Sequence, residues 1–167
     1  MGKESKKKLY QYGSEKSYYL LRHSGFFDIA RMLKSLKEKL NEFGYKIITD
    51  KEHTESLSAA GKETKFVWAC KKEVTDYIKF EIEITIITIR QIDVIVDKKK
   101  MQRGDFEFRI KAVMIKNYKK TFMDSKMGEI QRHLYEKIIV PLKLEDREDR
   151  LLEEARDLIS LVKEHLK

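Results

Sequence analysis

One cysteine, one proline and seven scattered glycines in 167 residues exclude several kinds of chemistry at the outset. With Cys70 alone, no intramolecular disulfide and no cysteine-rich metal knuckle can form. The four histidines, His23, His53, His133 and His165, fall at no HxxxH spacing, so a zinc site has no scaffold. The glycines never gather into a phosphate-cradling loop, and no serine occupies a Gly-x-Ser-x-Gly elbow. Neither nucleotide binding by a common motif nor acyl transfer is expected, and no cofactor is implied. No apolar run approaches the roughly 20 residues that span a bilayer. The N-terminus carries lysines without a continuous apolar stretch, so no signal peptide is expected. Cys70 falls in phase with Phe66 and Trp68, which reads as a buried small hydrophobe in a reducing, cytoplasmic setting.

Charge is what the chain has in abundance. Charged residues make up 38% of it against 41% hydrophobic, and the net charge is +8, so the class expected is globular with a heavily charged surface. The excess is uneven. Residues 1–24 carry about +4 and residues 101–125 about +3, while the stretch from Lys143 onward carries about −2. A basic balance suits a polyanionic partner; lysine also simply keeps a protein soluble.

The clearest structural signal is Tyr77 to Val96. Ile78, Phe80, Ile82, Ile84 and Ile86 alternate with Lys79, Glu81, Glu83 and Thr85, the period of a strand with one face on a core. Phe66, Trp68 and Cys70 belong to a preceding strand, Lys65 to Lys71. If the two share a buried face, paired residues must sum to an even number, with an odd number of residues between the last pair. After Ile86 the apolar positions shift to Ile87, Ile89, Ile92, Val94 and Val96. The shift predicts a bulge or bend at Ile86-Ile87 and a hairpin tip at Arg90-Gln91. Asp97 to Gly104 reads as a basic turn. Phe106, Phe108, Ile110, Ala112 and Met114 then mark a last strand.

Around these strands the reading is sparser. Residues 1–16 form a mobile basic arm, and 17–167 a single domain. Ser17 to Arg22 is a possible edge strand. Ile29, Leu33, Leu36, Leu40 and Phe43 predict a helix over 26–43, with Ser24 or Asp28 at its N-terminus and Gly44 just past its end. A short strand follows over 45–49. Asp50 to Glu63 shows no period and reads as a long loop. Met127, Ile130, Leu134 and Ile138 predict a helix over 125–140 that Pro141 ends. A final helix over 145–166 carries the stripe Leu151, Ala155, Leu158, Ile159, Val162 and Leu166, expected to pack on the sheet. The fold class is therefore α+β: an antiparallel β-meander of about four to six strands, with an N-terminal helix and two C-terminal helices covering one face.

No residue set nominates a reaction, so an enzyme is not expected. Glu81 and Glu83 lie on one strand face, but that face is the wet one. His53 beside Glu52 and Glu55 is the one local cluster with metal-binding atoms, in a stretch that reads as solvated loop. The candidate interface residues are basic and aromatic: Lys6, Lys7, Lys8 and Tyr10 in the arm; Lys98, Lys99, Lys100 and Arg103 in the basic turn; and Lys116, Tyr118, Lys119 and Lys120 after the last strand. Lysines neutralise phosphates, and exposed rings stack on unpaired bases. The leading expectation is a non-enzymatic binding module for RNA or another polyanion. The element order is also similar to that of helix-grip folds, which enclose an apolar cavity, and this implies a small-ligand binder lined by Phe66, Trp68, Phe80, Phe106 and Phe108. A third reading pairs the basic arm of one copy with the acidic last helix of another, in a homo-oligomer or with a protein partner.

Overall fold

The computed structural model describes residues 6–8, 19–116, 118–119, 126–135, 137 and 141–166; at 6–8, 49–54, 58 and 141–145 it describes the backbone alone. The fold is α+β, with one antiparallel sheet and helices packed on it. In chain order the elements are β1 (Lys6–Lys8), β2 (Tyr19–Phe27), α1 (Ile29–Glu42), β3 (Lys46–Ser58), β4 (Gly61–Glu73), β5 (Ile78–Val96), β6 (Lys99–Lys116), α2 (Lys126–Leu134) and α3 (Pro141–His165).

Strands β3 to β6 form a meander, and β1 and β2 both pair with the free side of β6. The even-sum register holds: Phe66, Trp68 and Cys70 lie opposite Ile86, Ile84 and Ile82, and five residues separate the last pair, Glu73 and Lys79. The shared face is the core. Trp68, Phe80, Ile82, Ile84, Ile86, Phe106 and Phe108 are each at most 1% exposed. They pack in one cluster with Met32, Leu36 and Leu40 of α1 and with Leu151, Ala155, Leu158 and Val162 of α3. The acidic last helix therefore keeps its apolar stripe for its own sheet, as expected. Cys70 is buried in the same cluster.

Helix α1 is bounded as its sequence suggests. The Asp28 carboxylate accepts from the Arg31 amide, satisfying a backbone donor that the first turn leaves free. At the far end the Tyr45 amide donates to the Leu40 carbonyl and the Gly44 amide to the Asn41 carbonyl, with Gly44 at φ +84°. That left-handed residue is what lets both bonds form, and glycine takes it without a Cβ clash.

Four expectations are corrected. The stretch 50–63 is no loop: β3 and β4 run through it and turn at Ala59-Ala60. Arg90-Gln91 is no hairpin tip, because β5 continues for 19 residues to Val96. The tip is the two-residue turn Asp97-Lys98, both at positive φ, so Lys99–Gly104 belongs to β6 rather than to a turn. The bulge lies at Arg90-Gln91 rather than Ile86-Ile87. Two residues of β5 there oppose the single Gly104 of β6, between the pairs Ile89–Asp105 and Ile92–Arg103. Pro141 opens α3, in a first turn where its missing N–H removes no helical bond.

Helix α2 touches the core through Tyr135 just past its end, whose ring meets Tyr77 edge-on at 5.4 Å. Its stripe Met127, Ile130 and Leu134 points to solvent. The predicted continuation to Ile138 and Val140 falls outside the described residues.

Candidate nucleic-acid interface

The length of the β5–β6 hairpin decides where the candidate cations sit. Lys99 and Lys116 stand at opposite ends of β6, 17 residues and so roughly 55 Å apart. The basic segments therefore form two groups, not one patch.

At the near end, β1 places Lys6, Lys7 and Lys8 opposite Ile115, Met114 and Val113, close to Lys116. Tyr10 and Lys120 lie outside the described residues. Most described lysines here are already neutralised. Lys119 pairs with Asp76 at 2.6 Å, so the ammonium is held above its ordinary range and the carboxyl below its own. Lys71 and Lys79 share Glu81, at 3.5 and 3.0 Å. The Tyr118 ring has the ammonium groups of Lys79 and Lys119 against it, at 5.5 and 5.7 Å from its centroid.

Deeper at the near end lies a buried polar cluster. The Glu154 carboxylate accepts from Tyr45 Oη at 2.8 Å, Lys72 Nζ at 2.5 Å and Arg150 Nε at 3.3 Å. Burial, and then the neighbouring Glu154 charge, push the Tyr45 hydroxyl well above the ordinary tyrosine range. Glu81 is held by its two lysines and Glu83 is exposed, so the two carboxylates are a solvated sheet face. No three His, Cys, Asp or Glu side chains among the described residues stand close enough to hold a metal ion.

The far end is different. Lys98, Lys99, Lys100 and Arg103 have no carboxylate at ion-pair distance among the described residues, and Lys98, Lys99, Lys100 and Arg103 are all exposed. Here the outer face of the sheet, opposite the helices, is built in rows. Arg22, Ser24 and Phe26 of β2 stand beside Glu107, Asp105 and Arg103 of β6, which stand beside Ile87, Ile89 and Ile92 of β5. Phe26 is 47% exposed and Ile92 48%. The Arg103 guanidinium lies 5.8 Å from the Phe26 ring centroid.

The bulge shapes this surface. It turns Arg90, at φ +56°, so that its guanidinium reaches Asp105, which also accepts from Ser24 Oγ at 2.7 Å. Those two donors hold the Asp105 carboxyl below its ordinary range. A Cβ on Gly104 would sit 2.8 Å from the Ile89 carbonyl oxygen and 3.1 Å from the Arg90 oxygen and Gln91 Cα, so only glycine lets the bulge approach. Gly104 pairs with Gly25, and both line a recess of about 310 Å³, open to solvent, between Arg90 and Arg103. A second open recess of about 540 Å³ adjoins it at Ser24 and Asp105 and extends past Arg22 and Ile89. Alongside, Glu107 takes hydrogen bonds from Arg22 at 2.8 Å and from Arg109. Burial alone would raise its pKa, and the two guanidiniums outweigh it, holding the carboxyl below its ordinary range.

On the inner side of the same end is an open cleft of about 410 Å³ bordered by Asp28, Arg31, Lys99, Glu164 and His165. Both ring nitrogens of His165 are engaged there: Nδ1 meets the Leu161 carbonyl at 2.9 Å and Nε2 meets Ser35 Oγ at 3.2 Å.

Sequence reasoning singled out Arg103 and its neighbouring lysines but missed Phe26, Arg90 and Ile92. Phe26 was assigned to a helix; the outward parity Arg22-Ser24-Phe26 was the signal available. No protein-family model, curated protein or solved structure matches this chain. Functional inference therefore rests on its own residues.

Proposed function

We propose that this protein is a non-enzymatic binding module for RNA or another polyanion, engaged through the far end of the sheet. The observation that carries the reading is the contrast in pairing. Lys119, Lys79, Lys71 and Lys72 each have a carboxylate at 4 Å or less, while Lys98, Lys99, Lys100 and Arg103 have none among the described residues. Cations that folding leaves unpaired are the ones free to exchange small counterions for phosphates, and that exchange is the main source of sequence-independent affinity. An aromatic ring and an isoleucine exposed beside them add what plain solubility would not select. The inward phenylalanines and Trp68, by contrast, are consumed in one packed core. The near-end set of Lys6–Lys8 and Lys116 is a secondary contact in this reading.

The test compares two variants for affinity to a labelled single-stranded RNA of about 12 nucleotides at low salt. Replacing Lys98, Lys99, Lys100 and Arg103 together by Gln is expected to weaken binding about 10-fold or more. Lys119→Gln, which removes an already paired charge, should change it little. Equal effects, or none, would overturn the placement.

A further inference from the structure

We propose that the nucleic acid recognised at the far end is single-stranded, and that one unpaired base stacks on Phe26, beside the recess between Arg90 and Arg103. This rests on the polyanion reading and names its substrate class.

The argument begins from the kind of surface the sheet offers. Among the described residues it presents no projecting helix to enter a groove; it presents a shallow face with one exposed ring. In a duplex each base is covered above and below by its neighbours, so a ring lying in a sheet surface has nothing to stack on. An unpaired base has both faces open, and any base will do, because every base has a π-face.

The surroundings of Phe26 fit that use. Arg103 already lies against the ring at 5.8 Å, the place a stacked planar group would take. A guanidinium displaced from there remains within reach of the phosphate that follows the base. On the side of Phe26 toward the strand's N-terminus, the paired glycines Gly25 and Gly104 bring bare backbone to the surface. A planar base can rest on such a floor. Ile92 supplies an apolar wall. Asp105 is the one carboxylate in the recess, and Arg90 and Ser24 hold it, so it repels a phosphate less than a free carboxylate would and offers acceptors to exocyclic amino groups. Among the described residues Arg103 is then the unpaired cation beside the recess, Arg90 being neutralised by Asp105. The exposed tip lysines, Lys98 to Lys100, add positive charge at the same end of the hairpin.

The experiment uses three labelled probes of equal length: a mixed-sequence RNA single strand, the same strand made abasic, and an RNA duplex. Each is titrated against the full chain and against Phe26→Ala, Phe26→Leu and Phe26→Trp. Phe26 is 47% exposed, so none of the three changes opens the core, and unfolding midpoints verify this. The base-bearing strand is expected to bind the unaltered protein about 5-fold to 100-fold more tightly than the abasic strand. Phe26→Ala and Phe26→Leu should abolish that preference while leaving abasic affinity unchanged, and Phe26→Trp should keep it. Equal binding of base-bearing and abasic strands, tighter binding of the duplex, or a preference untouched by Phe26→Leu overturns the stacking proposal and leaves the polyanion reading standing. Failure of all three probes to bind at low salt overturns both.

Discussion

Glu154 carries the sharpest stability prediction. Its side chain is 7% exposed and that of its partner Lys72 is 12% exposed, so the pair lies out of water. Glu154→Leu would leave the Lys72 ammonium without its counter-charge, held over the Tyr45 and Phe80 rings at 5.1 and 5.9 Å. It would also strand the Tyr45 hydroxyl, whose residue is 2% exposed. Breaking one side of a buried pair typically costs about 3–5 kcal/mol, because the surviving charge stays desolvated. The two cation–π contacts soften this, so we expect about 3 kcal/mol. In a chain of this size that lowers the melting midpoint by roughly 10 °C. Adding Lys72→Met removes the stranded charge and should recover most of the loss, leaving chiefly the unpaired tyrosine at about 1 kcal/mol. Urea unfolding of the two single variants and the double variant measures all three terms. A Glu154→Leu variant within 1 kcal/mol of the parent, or a double variant no better than the single, would refute the argument that a desolvated charge pair organises this corner.

Other outcomes follow from the same geometry. Gly104→Ala forces a methyl into the backbone of the bulge and should destabilise by about 1–3 kcal/mol in urea unfolding; a neutral result would mean that the bulge shifts freely. The Cys70 thiol, whose pKa burial pushes up to about 12, should resist a thiol reagent in the native state and react on unfolding; rapid native labelling would contradict its burial. Glu107 is held below its ordinary 4.5 when folded, so its contribution is present above that value and is lost as pH falls through it toward the depressed folded pKa. Glu107→Gln should accordingly flatten the acid limb of the stability curve, and an unchanged limb would show that the Arg22 and Arg109 contacts do not matter.

The strand from Ile78 to Ile86 was legible because a single hydrophobic face alternates without interruption, and the same parity located Trp68 and Cys70. The β3–β4 hairpin was not, since most of residues 50–65 are Thr, Ser or charged, and an extended hairpin whose described residues from 55 to 63 are exposed or half-buried leaves no apolar period. The misplaced tip has a definite cause. Beyond Ile86 the inward positions are Thr88 and Gln91, 0% and 9% exposed, and the Thr88 hydroxyl donates to the Gln91 side-chain oxygen at 2.8 Å. Two polar residues that satisfy one another inside a sheet are invisible to a count of apolar side chains, so the outward isoleucines Ile87, Ile89 and Ile92 looked like a change of phase. A turn without the usual glycine, Asp97-Lys98, gave no correcting signal. The cationic segments could be read from composition alone. Their separation to opposite ends could not, because it depends on where that hairpin turns.

The central claim is that Lys98, Lys99, Lys100 and Arg103 are available to phosphates. The most direct measurement is the slope of log affinity against log salt concentration for a single-stranded RNA. With about 0.7 per neutralised phosphate on a single strand, four such contacts predict a slope near −3. Affinity that falls with that slope supports the account. Binding that stays flat across the same salt range would contradict it, since cations that displace no counterions are not in contact with phosphates.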